Sequence, residues 1–389
     1  MKPVKTEYEM LAAQYGTPFY LFDFDVLKER VAAIKARLPK NARLCYAVKA
    51  NAFLLHALKD EDILFEVCSP GELSICERLG IQPKRIVFSG VHKTSADVQR
   101  ACALGVHTIT VESLAHCDYL LQAVRAEQIS TQNVIIRLTS GNQFGMSADN
   151  VYECVARLHS AQNVTLRGIH FFTGTQKKLQ TITEEVAFIQ QFCDDVRKRT
   201  GVAVSDIEYG PGLGYNYFSA NDERNTFVDL EQFAALLRDS AYQFVVELGR
   251  FVAAPCGVYV TRIGDVKNDS KNRYCIIDGG IHHINYYGQM MGMKLPRIEH
   301  IPHTARNGTE ELPYTIAGSL CTTADIVVRK LPLVSPAIGD VLAFHDIGAY
   351  SVTEGIYLFL SHPLPAVLVR QNGTVTCLRN AEETHILNA

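Results

Sequence analysis

Between Leu44 and Glu247, short apolar β-rich runs alternate with stretches of helical periodicity, and this alternation constrains the fold more than any other feature. The runs are Leu44–Val48, Ile63–Val67, Arg85–Ser89, Thr108–Val111, Asn133–Leu138, Leu166–Phe171, Asp206–Tyr209 and Gln243–Glu247. Helical patterns fill the gaps, among them Gly71–Leu79, Ser95–Leu104, Ser113–Ala126, Thr181–Arg199 and Leu230–Leu237. Ser95 and Ser113 are good N-cap types for two of these helices. Strands alternating with helices point to a parallel sheet, and eight is the number that closes a barrel. The expected class is therefore α/β, a (β/α)8 TIM-like barrel. An open doubly wound sheet is the alternative, but its G-x-G-x-x-G fingerprint is missing after the first run.

After Phe251 the rhythm changes. Cys256–Ile263, Tyr274–Ile277, Asp340–Phe344 and Ala366–Arg370 are separated by Gly, Pro and Asn, with few long helical patterns. This reads as a second, C-terminal, mainly β domain. Ahead of the barrel come a helical pattern near Tyr8–Tyr15, an aromatic strand Phe19–Phe22 and a helix from about Asp25 to Leu38. The expected division is a barrel over 25–252 and a β-rich domain from 1–24 and 253–389. A length of 389 residues, too long for one ordinary core, fits two domains.

The net charge of −3 gives no reason to expect nucleic acid or an anionic membrane surface as a partner. Met1–Met10 has no signal-peptide core, and no apolar run approaches a membrane span. Eleven cysteines without a C-x-x-C pair or metal-type spacing imply reduced thiols, no metal site and a cytoplasmic protein.

The active sites of such barrels lie at the C-terminal ends of the strands, where the polar residues form a coherent set. Lys49 ends the first strand; Ser69 and Glu72 follow the second, and Ser89 and His92 the third. Glu112 ends the fourth, Arg137 lies in the fifth and His170 in the sixth, with Gly174 and Thr175 beyond. Gly210-Pro-Gly-Leu-Gly214 follows the seventh, and Glu247 ends the eighth, ahead of Gly249 and Arg250. A lysine at the end of a buried strand is partly desolvated, which lowers its pKa and makes it a nucleophile toward aldehydes; the plainer reading is an ammonium that reaches solvent. The Gly210–Gly214 loop with Gly174-Thr175 can cradle a phosphate on backbone N–H groups, or be an ordinary strand–helix turn. Glu247 follows the apolar Phe244-Val-Val and needs a partner, either Arg137 or Arg250 or a protonated ring nitrogen. An aldehyde-trapping lysine, a phosphate cradle and a carboxylate for a pyridinium are the three things pyridoxal phosphate needs.

These residues resemble the barrel-type (fold type III) pyridoxal-phosphate decarboxylases, which include diaminopimelate, ornithine and arginine decarboxylases. The resemblance spans nearly the whole chain. It rests on Tyr46-Ala-Val-Lys-Ala-Asn51, Glu66-Val-Cys-Ser-Pro-Gly-Glu72, Gly168-Ile-His-Phe-Phe-Thr-Gly-Thr-Gln176 and Gly210-Pro-Gly-Leu-Gly214. It continues through Glu247-Leu-Gly-Arg250, Asp278-Gly-Gly280, Gly318-Ser-Leu-Cys-Thr-Thr-Ala-Asp325 and Gly348-Ala-Tyr350. The resemblance implies that Lys49 holds the cofactor's aldehyde and that Glu247 pairs with the pyridinium nitrogen. Thr175, Gly212, Gly214, Arg250 and Tyr350 are implied near the cofactor phosphate, with Arg137, Phe172 and Gly249 also in the cofactor site. Cys321 matches a cysteine that enters the partner subunit's site and protonates Cα, which implies a homodimer with shared active sites. Thr322, Asp325 and His92 are the expected substrate residues.

Departures from the family bear on the substrate. Phe172 stands where a histidine commonly stacks on the cofactor ring, and Leu248 interrupts a Glu-Pro-Gly-Arg pattern. Thr322 stands where ornithine and diaminopimelate enzymes carry an acidic residue for the distal amine, and His282-His-Ile-Asn-Tyr-Tyr-Gly-Gln-Met-Met offers no replacement carboxylate. Phe359-Leu-Ser-His-Pro-Leu-Pro365 replaces the usual Phe-Asn. The pattern is similar to the branch acting on derivatised amino acids in natural-product and siderophore pathways, some of them tethered to a carrier protein. The expectation is decarboxylation at Cα of a non-standard or derivatised amino acid, with diaminopimelate decarboxylase as the alternative. Alanine racemase shares the barrel but places an arginine at the ring nitrogen, unlike Glu247. A non-catalytic regulator would be expected to lose Lys49 or Cys321.

Overall fold

A computed structural model of the protein describes residues 6–126, 131–218, 227–269, 271–284, 286, 291–306 and 308–389. The chain forms two compact units, one of Arg30–Tyr215 with Thr226–Val252, the other of Met1–Glu29, Asn216–Asn225 and Ala253–Ala389. With β1 (Phe19–Asp23) in the latter, the former contains β2 (Ala42–Ala47), β3 (Leu64–Val67), β4 (Ile86–Phe88), β5 (Thr108–Val111), β6 (Gln132–Arg137), β7 (Val164–Phe172), β8 (Asp206–Gly210) and β9 (Gln243–Leu248). These eight close into a parallel barrel in sequence order, as the alternation of runs predicts. Helices Pro70–Arg78, Ser95–Leu104, Leu114–Ala126, Ala148–His159, Leu179–Thr200 and Val228–Arg238 follow β3 to β8 in turn.

Caps fix where these helices begin. Ser113 does cap its helix, its Oγ accepting the His116 N–H at 3.1 Å. The next cap differs from expectation, because Thr94 rather than Ser95 is the N-cap. Thr94 is extended, its Oγ1 accepts from the Asp97 N–H, and the Asp97 carboxylate accepts the Thr94 N–H in return. That reciprocal box satisfies two otherwise unpaired donors, and it leaves Ser95 inside the first turn.

Inside the barrel, Cys45, Leu64 and Val87 pack with Val245 as an apolar floor. The layer above is polar because strand register puts it there: Arg137 aligns with His170, and His170 with Glu208. A bulge sets that alignment. Leu166 pairs with Val134 but Gly168 pairs with Ile135, so Arg167 is an extra residue. Without it every later side chain of β7 would change faces, and His170 would point away from the interior. Arg167 itself is held by Asp206 at 3.0 and 3.2 Å. A Cβ on Gly168 would lie 1.8 Å from the Asp206 carbonyl oxygen, so no larger residue fits beside the bulge.

The second unit is built on a sheet ordered β14-β13-β11-β10-β1-β16-β17, with β12 on β15 and β15 on β10. The strands are β10 (Gly257–Asn268), β11 (Arg273–Ile277), β12 (Ile298–Ile301), β13 (Glu311–Ala317), β14 (Ile326–Val334), β15 (Val341–His345), β16 (Ala366–Gln371) and β17 (Thr374–Arg379). β1 sits centrally, antiparallel to β10 and parallel to β16, which explains its fully apolar Phe-Tyr-Leu-Phe run. Leu11, Phe19, Leu21, Val260, Ala343 and Leu368 share its core. Among the described residues no helix is long and apolar enough to cross a membrane.

Gly168→Ala is expected to cost at least about 3 kcal/mol of stability, because two backbones must separate. Urea denaturation checks this; an unchanged midpoint would contradict the close approach.

Candidate active site

β2 stops at Ala47, and Lys49 sits just beyond it in a tight 3-10 turn, Val48–Ala50. The Asn51 side chain accepts the Phe53 N–H and fixes the exit from that turn. Lys49 is neither sealed in nor free in water. Its side chain is 41% exposed, and its Nζ lies 3.3 Å from Oε2 of the buried Glu66. Cys68 Sγ is 3.9 Å away and the Phe172 ring centre 5.7 Å. The amine is thus aimed by a carboxylate and an aromatic ring while staying accessible to an incoming carbonyl.

Glu247, at the end of β9, is buried, and Arg137, one of the partners suggested by charge, turns elsewhere. Arg137 pairs instead with Glu112 at 3.1 Å and lies over the Phe144 ring. Glu247 Oε1 is 3.2 Å from His170 Nε2, and a second buried carboxyl, Glu208, brings an oxygen within 4.8 Å of Glu247. Burial alone would raise the pKa of Glu247. The charge of His170, the Glu208 hydrogen bond and Lys49 outweigh it and hold Glu247 well below the usual carboxylate range. Glu208 goes the other way: burial first, then its hydrogen bond to Glu247 and that carboxylate's charge, push it well above. Two carboxyls this close keep one proton between them.

A further buried cation, Lys93, lies 3.9 Å from Glu112. Burial pushes its pKa down to about 8 although Glu112 opposes the shift. Glu112 therefore serves two buried cations.

The loops after β7 and β8 pack against each other. Gly212 has φ +59°, and a Cβ there would come within 2.2 Å of the Gly174 carbonyl oxygen. The Lys177 N–H donates to the Gly212 carbonyl at 3.0 Å, and Gln176 exchanges two hydrogen bonds with the Tyr215 backbone. Lys177 Nζ is fixed at 2.5 Å by Glu185, which also accepts from Thr173 and Tyr209. Thr175 is exposed on this rim, Gly214 half-buried, and Gly249 and Arg250 half-buried just after β9.

Among the expected residues, the barrel unit brings together Lys49, Arg137, Phe172, Glu247 and the two glycine loops. His92 is exposed on the loop after β4. Cys321, Thr322, Asp325 and Tyr350 belong to the other unit. There Cys321 and Thr322 are exposed on a turn, and Asp325 fastens that turn from below. Its two carboxylate oxygens accept the Ile281 and Leu320 N–H groups at 2.8 and 2.7 Å. Cβ atoms on Gly280 and Gly318 would collide with it. Asp325, expected as a substrate residue, is buried and holds the loop that presents Cys321. Tyr350 has φ +68°, and its carbonyl accepts the Thr353 and Glu354 N–H groups.

Sequence reasoning passed over Glu66, Lys93, Lys177 and Glu208 as site residues. The available signal was an acid inside an apolar run, in Leu-Phe-Glu66-Val and Asp-Ile-Glu208-Tyr.

Residues 24–254 match the family model of the pyridoxal-dependent decarboxylases, pyridoxal binding domain. The L-glutamyl-[BtrI acyl-carrier protein] decarboxylase of Niallia circulans is 28% identical over 402 residues, covering 96% of this chain and 94% of that protein. The 2-[(L-alanin-3-ylcarbamoyl)methyl]-2-hydroxybutanedioate decarboxylase of Staphylococcus aureus is 27% identical, covering 94% and 97%. The structure of diaminopimelate decarboxylase from Helicobacter pylori superimposes with a TM-score of 0.85 at 23% identity, covering 98% of both chains, which is a likeness of fold. The chain belongs to the pyridoxal-dependent decarboxylases, and its cofactor is pyridoxal phosphate.

The residues present fit that cofactor. An accessible amine, a buried carboxylate whose Oε1 has no aligned hydrogen bond, and a loop that only glycine can form lie in one unit.

Glu112→Gln is expected to destabilise the protein by about 3 kcal/mol, because Arg137 and Lys93 would be left as buried, uncompensated cations. Chemical denaturation tests this, and a loss below about 1 kcal/mol would show that the two cations are compensated elsewhere.

Proposed function

We propose that this decarboxylase acts on an α-amino acid whose side chain is derivatised and carries no free distal ammonium. The observation that carries the reading is Thr322, exposed beside Cys321 and uncharged where an acid would be needed to meet a distal amine. A buried ammonium left without a countercharge costs on the order of 3 kcal/mol. Two relatives named for derivatised substrates support the reading, one of them acting on a glutamyl group carried by an acyl-carrier protein. Diaminopimelate decarboxylases of similar identity are also among the relatives, so free diaminopimelate is the competing substrate.

Pyridoxal phosphate, when bound, supplies an aldehyde for amines and a pyridine ring that takes up the electron pair left at Cα when CO2 departs. The chain's residues would do the rest. Lys49, aimed by Glu66, would hold the aldehyde and yield it to the substrate amine. Glu247 would keep a proton on the ring nitrogen. Phe172 would pack on the ring without the hydrogen bond that a histidine offers. Thr175, Gly212, Gly214, Gly249, Arg250 and Tyr350 would hold the phosphate. Cys321 from a partner subunit would return a proton to Cα, so the working form would be a homodimer with shared sites.

Lys49→Ala is expected to abolish both turnover and the visible absorbance of bound cofactor; a colourless wild type would refute the assignment. Free diaminopimelate, ornithine and lysine should be turned over at least about 100-fold more slowly than an acylated or carrier-bound amino acid. Rapid decarboxylation of any of the three would sink the substrate reading. Mixing and reassembling inactive Lys49→Ala and Cys321→Ala proteins should restore roughly a quarter of the wild-type sites. No recovery would mean that each subunit works alone.

A further inference from the structure

His170, Glu208 and Glu247 converge from β7, β8 and β9, all buried, with one polar atom of each within 4.8 Å of the others. Lys49, Arg137 and Glu66 act on this cluster, and the thiols of Cys45 and Cys68 lie within its field. Among the described residues neither ring nitrogen of His170 has an aligned hydrogen bond, yet Nε2 is only 3.2 Å from Glu247 Oε1. The imidazole is therefore spent on nothing except Glu247. The bulge at Arg167 turns it inward, on the same strand as Phe172 and two residues earlier.

We propose that His170 and Glu208 are positioning residues that hold Glu247 as an anion, His170 through its Nε2 edge and Glu208 as the carboxyl that keeps the shared proton and donates it toward Glu247. The proposal rests on the reading that Glu247 meets the cofactor's ring nitrogen. Glu208 takes the proton because burial and the carboxylates of Glu247 and Glu66 outweigh the single cation acting on it, Arg137, whereas Glu247 faces both His170 and Lys49. An anionic Glu247 is what keeps a ring nitrogen protonated; a neutral Glu247 would not.

The test titrates apoenzyme with pyridoxal phosphate, followed by cofactor absorbance, and measures apoenzyme thermal unfolding from about pH 6 to pH 9. His170→Leu should weaken cofactor binding about tenfold or more, and His170→Gln, which keeps an N–H near the Nε2 position, should recover most of it. Glu208→Gln should stay within about threefold of wild type at neutral pH, because an amide donates as the protonated carboxyl does, whereas Glu208→Leu should lose about tenfold. Without cofactor, wild type should lose stability relative to Glu208→Gln as pH rises, since a carboxyl with a raised folded-state pKa favours the fold at low pH and loses that contribution on the way up. Wild-type cofactor affinity in His170→Leu, parallel pH–stability curves for wild type and Glu208→Gln, or a stoichiometric metal removed by chelator would each overturn the proposal. Wild-type cofactor affinity and visible spectrum in Glu247→Gln would overturn the ring-nitrogen reading instead, and the apoenzyme comparison would still decide the carboxyl pair.

Discussion

The barrel site depends on a carboxylate, Glu247, that is almost wholly buried. An isolated carboxylate in the barrel interior would take up a proton, because burial disfavours the charged form. Here His170, Glu208 and Lys49 oppose that effect and hold the Glu247 pKa well below the usual carboxylate range. The same problem recurs one layer across, where Glu112 faces Arg137 and Lys93. The barrel mouth is a set of buried charges that compensate one another, standing on the apolar floor of Cys45, Leu64 and Val87.

The barrel makes this possible by geometry. Parallel strands bring side chains from β6, β7 and β8 into one layer, and the extra residue at Arg167 brings β7 into phase with its neighbours. Around the rim the backbone does what side chains do inside. Gly212 lets two loops approach each other, and Lys177 with Glu185 locks them from beneath. In the other unit Asp325 has an equivalent office, tying Ile281 and Leu320 so that Cys321 stands exposed.

The chemistry that follows is divided among these parts. On the proposed reading Lys49 would provide the amine, Glu247 the negative charge for the ring nitrogen, and the glycine loops a backbone surface for the phosphate. Phe172 keeps an aromatic face toward Lys49 where a histidine is usual, while the imidazole of His170 stands deeper on the same strand. Thr322 puts no acidic group beside Cys321, which on the proposed reading would suit substrates whose distal group is already capped.

The amino-acid order by itself determined the alternation of runs and hence the eight-stranded barrel, since apolar periodicity and N-cap residues act locally. Lys49, Glu247 and the glycine loop were legible for the same reason: each stands at the end of a recognisable strand. Other features were decided only by the tertiary structure. No spacing along the chain says that Arg137 turns to Glu112, that Glu66 aims Lys49, or that His170 and Glu208 flank Glu247. Those pairings depend on which face each strand presents and on one bulged residue that resets a two-residue period, and both are settled only when neighbouring strands come together.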